Sequence, residues 1–161
     1  MDRFIAIGEV VKAIGLRGEI KVYPLLDFYP PVLDCPYLVW GDGGRVEVQR
    51  HRQAGSCEGV KVKGIDSREA AEALVGRELG FMSGRYLEND FPRPSGGLPF
   101  RYLGREVVTL AGVAVGTVDE VRNTGGGFML VIRAPDMVGG EILIPAVAPI
   151  LQPDEGLEGT L

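Results

Sequence analysis

Ile7-Gly8-Glu9-Val10-Val11-Lys12-Ala13-Ile14-Gly15-Leu16-Arg17-Gly18-Glu19-Ile20-Lys21-Val22 is the stretch on which the fold turns. A strand-like run occupies Ile5–Val11, a loop follows at Ala13–Gly18, and Glu19–Pro24 then alternates polar and apolar residues as a half-buried strand must. Gly15 and Gly18 are the structural positions of that loop, because glycine enters left-handed backbone conformations without a Cβ penalty. Arg17 between them is left as the exposed, functional element. Gly15-Leu16-Arg17-Gly18 matches the GXXG clamp of KH-type RNA binders only superficially, since that clamp joins two helices. Here strands are expected on both sides.

Outward from this stretch the same grammar continues. Short apolar runs at Tyr37–Trp40, Val46–Arg52 and Gly59–Val62 are punctuated by turns such as Gly41-Asp42-Gly43-Gly44. One helix interrupts them, spanning about Ser67–Val75, with Asp66 as its cap, Glu69 completing a capping box and Gly76 closing it. The stretch Glu88–Pro99, with three prolines and two glycines, reads as a linker. Beyond it lie strands at Glu106–Thr109, Ala114–Val121, Phe128–Arg133 and Glu141–Pro145, with a hairpin closed by Asn123–Gly127 and a frayed end from Glu155 to Leu161. The expected fold is mainly β, with two small β-barrel domains and one short helix near the end of the first. The expected boundaries are residues 1–87, a linker at 88–99, and residues 100–161.

Composition narrows the function classes. The 161 residues are 45% hydrophobic, and no apolar run approaches the roughly 20 residues of a membrane-spanning helix. No secretory signal is read at the start, and Cys35 and Cys57 lack zinc-site spacing, so a cytoplasmic protein with two reduced thiols is expected. Seventeen Lys+Arg stand against 22 Asp+Glu, a formal net charge of −5. That sign repels phosphates on average and suits a basic protein partner, while leaving room for a local basic patch.

Catalytic constellations do not assemble. The single histidine, His51, lies between Arg50 and Arg52, which disfavour a charged imidazole, and reads as an ordinary strand residue. Ser56-Cys57-Glu58 lacks a nucleophile-elbow pattern. Gly125-Gly126-Gly127 lacks the helix and lysine of a phosphate loop. The carboxylate pairs Asp119-Glu120 and Asp154-Glu155 read as solvated surface. Neither an enzyme nor a cofactor or metal site is expected.

Three motifs in order carry a family resemblance. The opening strand–loop–strand, with its Gly-Leu-Arg-Gly-Glu core, resembles the start of the ribosome maturation factors called RimM. Val60-Lys61-Val62-Lys63-Gly64-Ile65-Asp66-Ser67-Arg68-Glu69-Ala70-Ala71-Glu72-Ala73-Leu74-Val75-Gly76 is similar to the family's strand, capped helix and closing glycine at the end of its N-terminal barrel. Gly112–Val121, leading through the glycine turn to Glu141-Ile142-Leu143-Ile144-Pro145, looks like its C-terminal PRC-barrel.

The resemblance implies a non-enzymatic, cofactor-free assembly factor, expected to be a cytoplasmic monomer. It would bind the immature small (30S) ribosomal subunit through a ribosomal protein of the head, uS19, and assist 16S rRNA maturation. Little binding to naked RNA is expected. The family's tyrosine pair and following tryptophan are missing from Gly97-Leu98-Pro99-Phe100-Arg101-Tyr102-Leu103-Gly104. The partner contact is nonetheless expected there, at Phe100, Arg101 and Tyr102, with Arg17 as a further contact. The rival reading is an RNA-binding β-barrel that uses Lys12, Arg17, Lys21, Lys61 and Lys63 as a local basic face.

Overall fold

A computed structural model describes residues 2–136, 138–148, 150–152 and 156–161. The acidic pair Asp154-Glu155 lies outside them. The chain divides into two compact units, Met1–Arg93 and Pro94–Leu161, each built on one antiparallel sheet. The expectation of a mainly β chain with one short helix in its first half holds. Among the described residues, no helix is long and apolar enough to cross a membrane.

The first unit contains β1 (Phe4–Ile14), β2 (Glu19–Pro24), β3 (Val39–Trp40), β4 (Val48–Ala54), β5 (Cys57–Val62) and β6 (Glu78–Met82), in the order β3-β6-β1-β2-β5-β4. The decisive hairpin pairs Val10 with Val22 and Ala13 with Ile20, all four side chains facing the core. β1 serves β2 and β6 together, and irregularities at Ala6/Gly8 and Val10/Lys12 bend it to do so. The sheet curls until its edges are joined through the segment that leads into β4. Val46 N–H donates to the Leu38 carbonyl at 3.0 Å, and the Glu47 carbonyl accepts from Lys63 N–H at 2.8 Å. Inside lie Ile7, Ile20, Val60, Leu79 and Phe81, all essentially without solvent contact.

β6 is a strand absent from the sequence reading. Gly80 stands at its centre because β1 passes so close: a Cβ at Gly80 would stand 2.0 Å from the Ile5 carbonyl oxygen. The helix α1 is shorter than expected, Arg68–Glu72, and its cap is Ser67, whose hydroxyl accepts from Ala70 N–H at 3.1 Å. With the cap at Ser67, the third helical position is alanine and no capping box forms. Asp66 is instead paired with Lys61 Nζ at 3.0 Å.

The Glu88–Pro99 stretch is packed near both ends. Phe91 lies against Phe81 and Tyr86, with ring centroids 4.8 and 5.4 Å apart, and Leu98 is buried. The division between units falls after Arg93, within this stretch.

The second unit contains β7 (Glu106–Val108), β8 (Ala114–Asn123), β9 (Phe128–Arg133) and β10 (Glu141–Pro145), in the order β10-β9-β8-β7. Val107, Val118, Val121, Leu130, Ile132, Tyr102 and Leu151 form its core. The fraying expected toward the end of the chain is not found at 156–161. Leu161 N–H donates to the Glu106 carbonyl at 2.8 Å, and the Leu161 carbonyl accepts from Val108 N–H at 3.0 Å, so the last residue extends the pairing of β7. The Arg105 guanidinium holds the same segment through the carbonyls of Gly156, Gly159 and Thr160 at 3.1–3.3 Å. A buried arginine donating to three carbonyls is a strong reason for order.

Candidate functional site

The loop between β1 and β2 presents a defined tip. Gly15 and Gly18 have φ of 62° and 89°. Gly18 is pressed onto the chain before α1, where a Cβ would come within 2.0 Å of the Ile65 carbonyl oxygen, whereas Gly15 faces open space. Arg68, the first residue of α1, donates from Nη1 to the Gly15 carbonyl at 2.9 Å. Between these anchors Leu16 is 78% exposed and Arg17 is exposed too, with no hydrogen bond or ion pair to Arg17 among the described residues. An apolar side chain and a cation thus stand exposed side by side on a held loop; Leu16 was missed in the sequence because only its exposure marks it.

The second expected contact is placed differently. Phe100, Arg101 and Tyr102 lie in a 3-10 turn, Pro99–Tyr102, and are only 3%, 6% and 4% exposed. The Arg101 guanidinium lies 4.6 Å from the Tyr102 ring centroid and donates to the Tyr102 hydroxyl at 2.8 Å and to the Gly96 carbonyl at 3.1 Å. All three side chains are buried rather than exposed as an interface anchor would be. The physical reason is that Tyr102 serves the hydrophobic core, which takes the rings inward.

What the second unit does expose is apolar and acidic. Leu110, 90% exposed, and Val113 stand in the turn between β7 and β8, and Val138 in the turn between β9 and β10. β8 and β9 are antiparallel, pairing Thr117 with Arg133, so both turns lie at one end of the sheet. This unit has four cations against eight acids, and the first has 13 against 14, so nearly all the net charge of −5 belongs to Pro94–Leu161. All four of those arginines are engaged. Arg101 and Arg105 are buried, Arg133 meets Asp119 at 2.7 Å, and Arg122 meets Glu120 at 3.0 Å and Glu141 at 3.4 Å. Hydrogen bonding to Arg122 holds the Glu120 carboxyl below its usual range.

The basic residues of the first unit sort by environment. Lys61 is buried, donating to the Ile65 carbonyl and paired with Asp66, and Lys63 pairs with Glu47 at 3.6 Å. Lys12 and Lys21 stand directly opposite each other on the outer face, whereas Arg17 sits at the loop tip. The sequence-expected face is therefore split. Arg50 and Arg52 on β4, missed as members, flank His51 in sequence but point outward while its ring points the other way.

His51 is not the ordinary residue expected. Its Nδ1 lies 2.9 Å from Glu58 Oε1 and its Nε2 3.1 Å from Asp34. Burial disfavours its charge, but the hydrogen bonds to Glu58 and Asp34 outweigh that and raise its pKa. Among the described residues no group of His, Cys, Asp and Glu could hold a metal ion.

Comparison with known proteins bears on the whole chain. Residues 5–83 match the model of the RimM N-terminal domain. Ribosome maturation factor RimM of Methylococcus capsulatus is 32% identical over 98% of this chain and 89% of its own, and that of a Thermoanaerobacter species is 33% identical over 94% and 90%. Among solved structures, a RimM 16S ribosomal RNA processing protein of Pseudomonas aeruginosa aligns with 98% of this chain and 96% of its own, at 25% identity and a TM-score of 0.47. The N-terminal domain of RimM from Thermus thermophilus aligns with 58% of this chain and 98% of its own, at 22% identity and a TM-score of 0.44. At such identity to the curated relatives, over nearly the full length of both partners, the chain belongs to the RimM family.

Proposed function

We propose that this protein is a non-enzymatic ribosome assembly factor that binds the immature small (30S) subunit through a ribosomal protein of its head and assists 16S rRNA maturation. The names of the curated relatives support the ribosomal role, and the family resemblance suggests uS19 as the head protein. The observation that carries the protein-contact reading is the second unit, which joins a net charge of −4 to exposed Leu110, Val113 and Val138 at one end of its sheet. Ribosomal proteins are generally basic, so charge steers the encounter and apolar side chains bury on contact. Arg17 and Leu16 form a second contact. The protein works as a cytoplasmic monomer and binds naked RNA weakly at physiological salt.

Capture of immature small subunits from a lysate, followed by binding to isolated head proteins, tests this. Tight binding to a basic head protein and weak binding to naked small-subunit RNA is the expected pair of results. Tight RNA binding with no head-protein binding would overturn the reading.

A further inference from the structure

The outer face of the first unit carries an ordered row of cations, of which the fold pairs only Arg52. Across four neighbouring strands the register runs Lys12 on β1, Lys21 on β2, Gly59 on β5 and Arg52 on β4, each paired with the next. Inward-facing neighbours Ala13, Ile20 and Val60 are buried, which places this row on the outside. Arg50, two residues from Arg52 and paired with Lys61, stands on the same face in the adjoining row. Adjacent strands are about 4.8 Å apart, so the row spans roughly 15 Å.

Like charges placed directly opposite on neighbouring strands destabilise a sheet, and Lys12 opposite Lys21 is such a pair. Glu19 is a carboxylate set among these residues, and it is engaged by Arg52 at 2.8 Å. Lys12, Lys21 and Arg50 have no hydrogen bond or ion pair among the described residues. Gly59, with no side chain, makes room for the Glu19 carboxylate, whose Oε1 would stand 2.7 Å from a Cβ placed there. On β1, β2, β5 and β4 this face sets Lys12, Lys21, Arg50 and Arg52 against Glu19 and Glu9, two net positive charges on a protein of net charge −5.

Resting on the assembly-factor reading above, we infer that this face binds phosphodiester groups of small-subunit RNA through Lys12, Lys21 and Arg50, with Arg52 fixed beside them by Glu19. Charge complementarity and the ribosomal setting select RNA as the occupant. About three phosphate contacts give too little affinity to hold naked RNA at physiological salt. They become effective once the second unit is anchored, because the linked contact is then intramolecular.

The test uses purified immature small subunits and the full chain, comparing wild type with the triple variant Lys12→Gln, Lys21→Gln, Arg50→Gln at 0.1 and 0.3 M KCl. Losing three single-strand phosphate contacts lowers the salt slope by about 2, so tripling the salt should weaken wild type about tenfold more than the variant. Binding to the isolated head protein should be the same for both, and the variant should melt at the same temperature or slightly higher, since the Lys12–Lys21 repulsion is removed. Equal affinity and equal salt slope on the particle would overturn the RNA contact and leave the assembly-factor reading standing. A variant that loses affinity for the isolated head protein would make the row a protein contact and overturn it too. Failure of wild type to bind immature subunits would instead sink the assembly-factor reading and the row with it.

Discussion

His51 Nδ1 stands 2.9 Å from a carboxylate oxygen of Glu58 on the neighbouring strand, while Asp34 reaches the other ring nitrogen at 3.1 Å. An imidazole held between two carboxylates is stabilised in its charged form, so its folded pKa is raised above the ordinary 6.5.

Stability should therefore depend on pH in a definite direction. The contribution of charged His51 is fully present below the unfolded pKa of about 6.5 and is lost as pH rises through the higher folded value. The melting temperature should fall from pH 6 to pH 8 in wild type and less in His51→Gln. An NMR titration placing the folded pKa at or below 6.5 would refute this.

Gly15 and Gly18 should respond differently to alanine. Gly15→Ala meets open space and pays only for the left-handed backbone, about 1 kcal/mol. Gly18→Ala also forces a Cβ onto the Ile65 carbonyl and should cost more than about 3 kcal/mol in urea unfolding. Equal losses would mean that the Gly18 contact relaxes freely.

Substitutions in the 3-10 turn should act on stability. Phe100→Ala removes a buried ring and should cost about 3–5 kcal/mol of stability. Tyr102→Phe removes a hydroxyl that accepts from Arg101 and donates to the Gly96 carbonyl, and should cost about 1 kcal/mol. Unchanged melting with weakened partner binding would restore the surface role.

At the loop tip the pattern reverses. Leu16→Ser and Arg17→Ala should leave unfolding free energies within about half a kcal/mol of wild type. Each should weaken binding to immature small subunits by a factor of roughly five or more. Intact binding in both variants would remove the tip from the interface.

Brief proteolysis should cut first near exposed Ser95 and Gly96, between buried Phe91 and Leu98, and release two fragments that remain folded. Scattered early cleavage would contradict independent units.

The hairpin at Ile7–Val22 was legible because alternation and glycine placement determine it locally. β6 was not, since the reason for Gly80 is a carbonyl on β1, far away in sequence. His51 shows a rule applied to the wrong geometry. Arg50 and Arg52 are its neighbours in sequence, but a strand sends adjacent side chains to opposite faces, and the ring meets Glu58 and Asp34 instead. Phe100 and Tyr102 looked like surface aromatics because pattern alone does not separate a core ring from an interface ring. The charge row was invisible for want of register: Lys12, Lys21 and Arg52 become neighbours only when three strand pairings are known.

The pairing of Leu161 with Glu106 and Val108 sets an order of events during synthesis. The first unit has all its strands once Arg93 has left the exit tunnel and can fold while translation continues. The second waits with β7 incompletely paired and Arg105 without its three carbonyls until residue 161 emerges. A newborn chain thus completes its cationic face before the acidic half that must anchor it has folded.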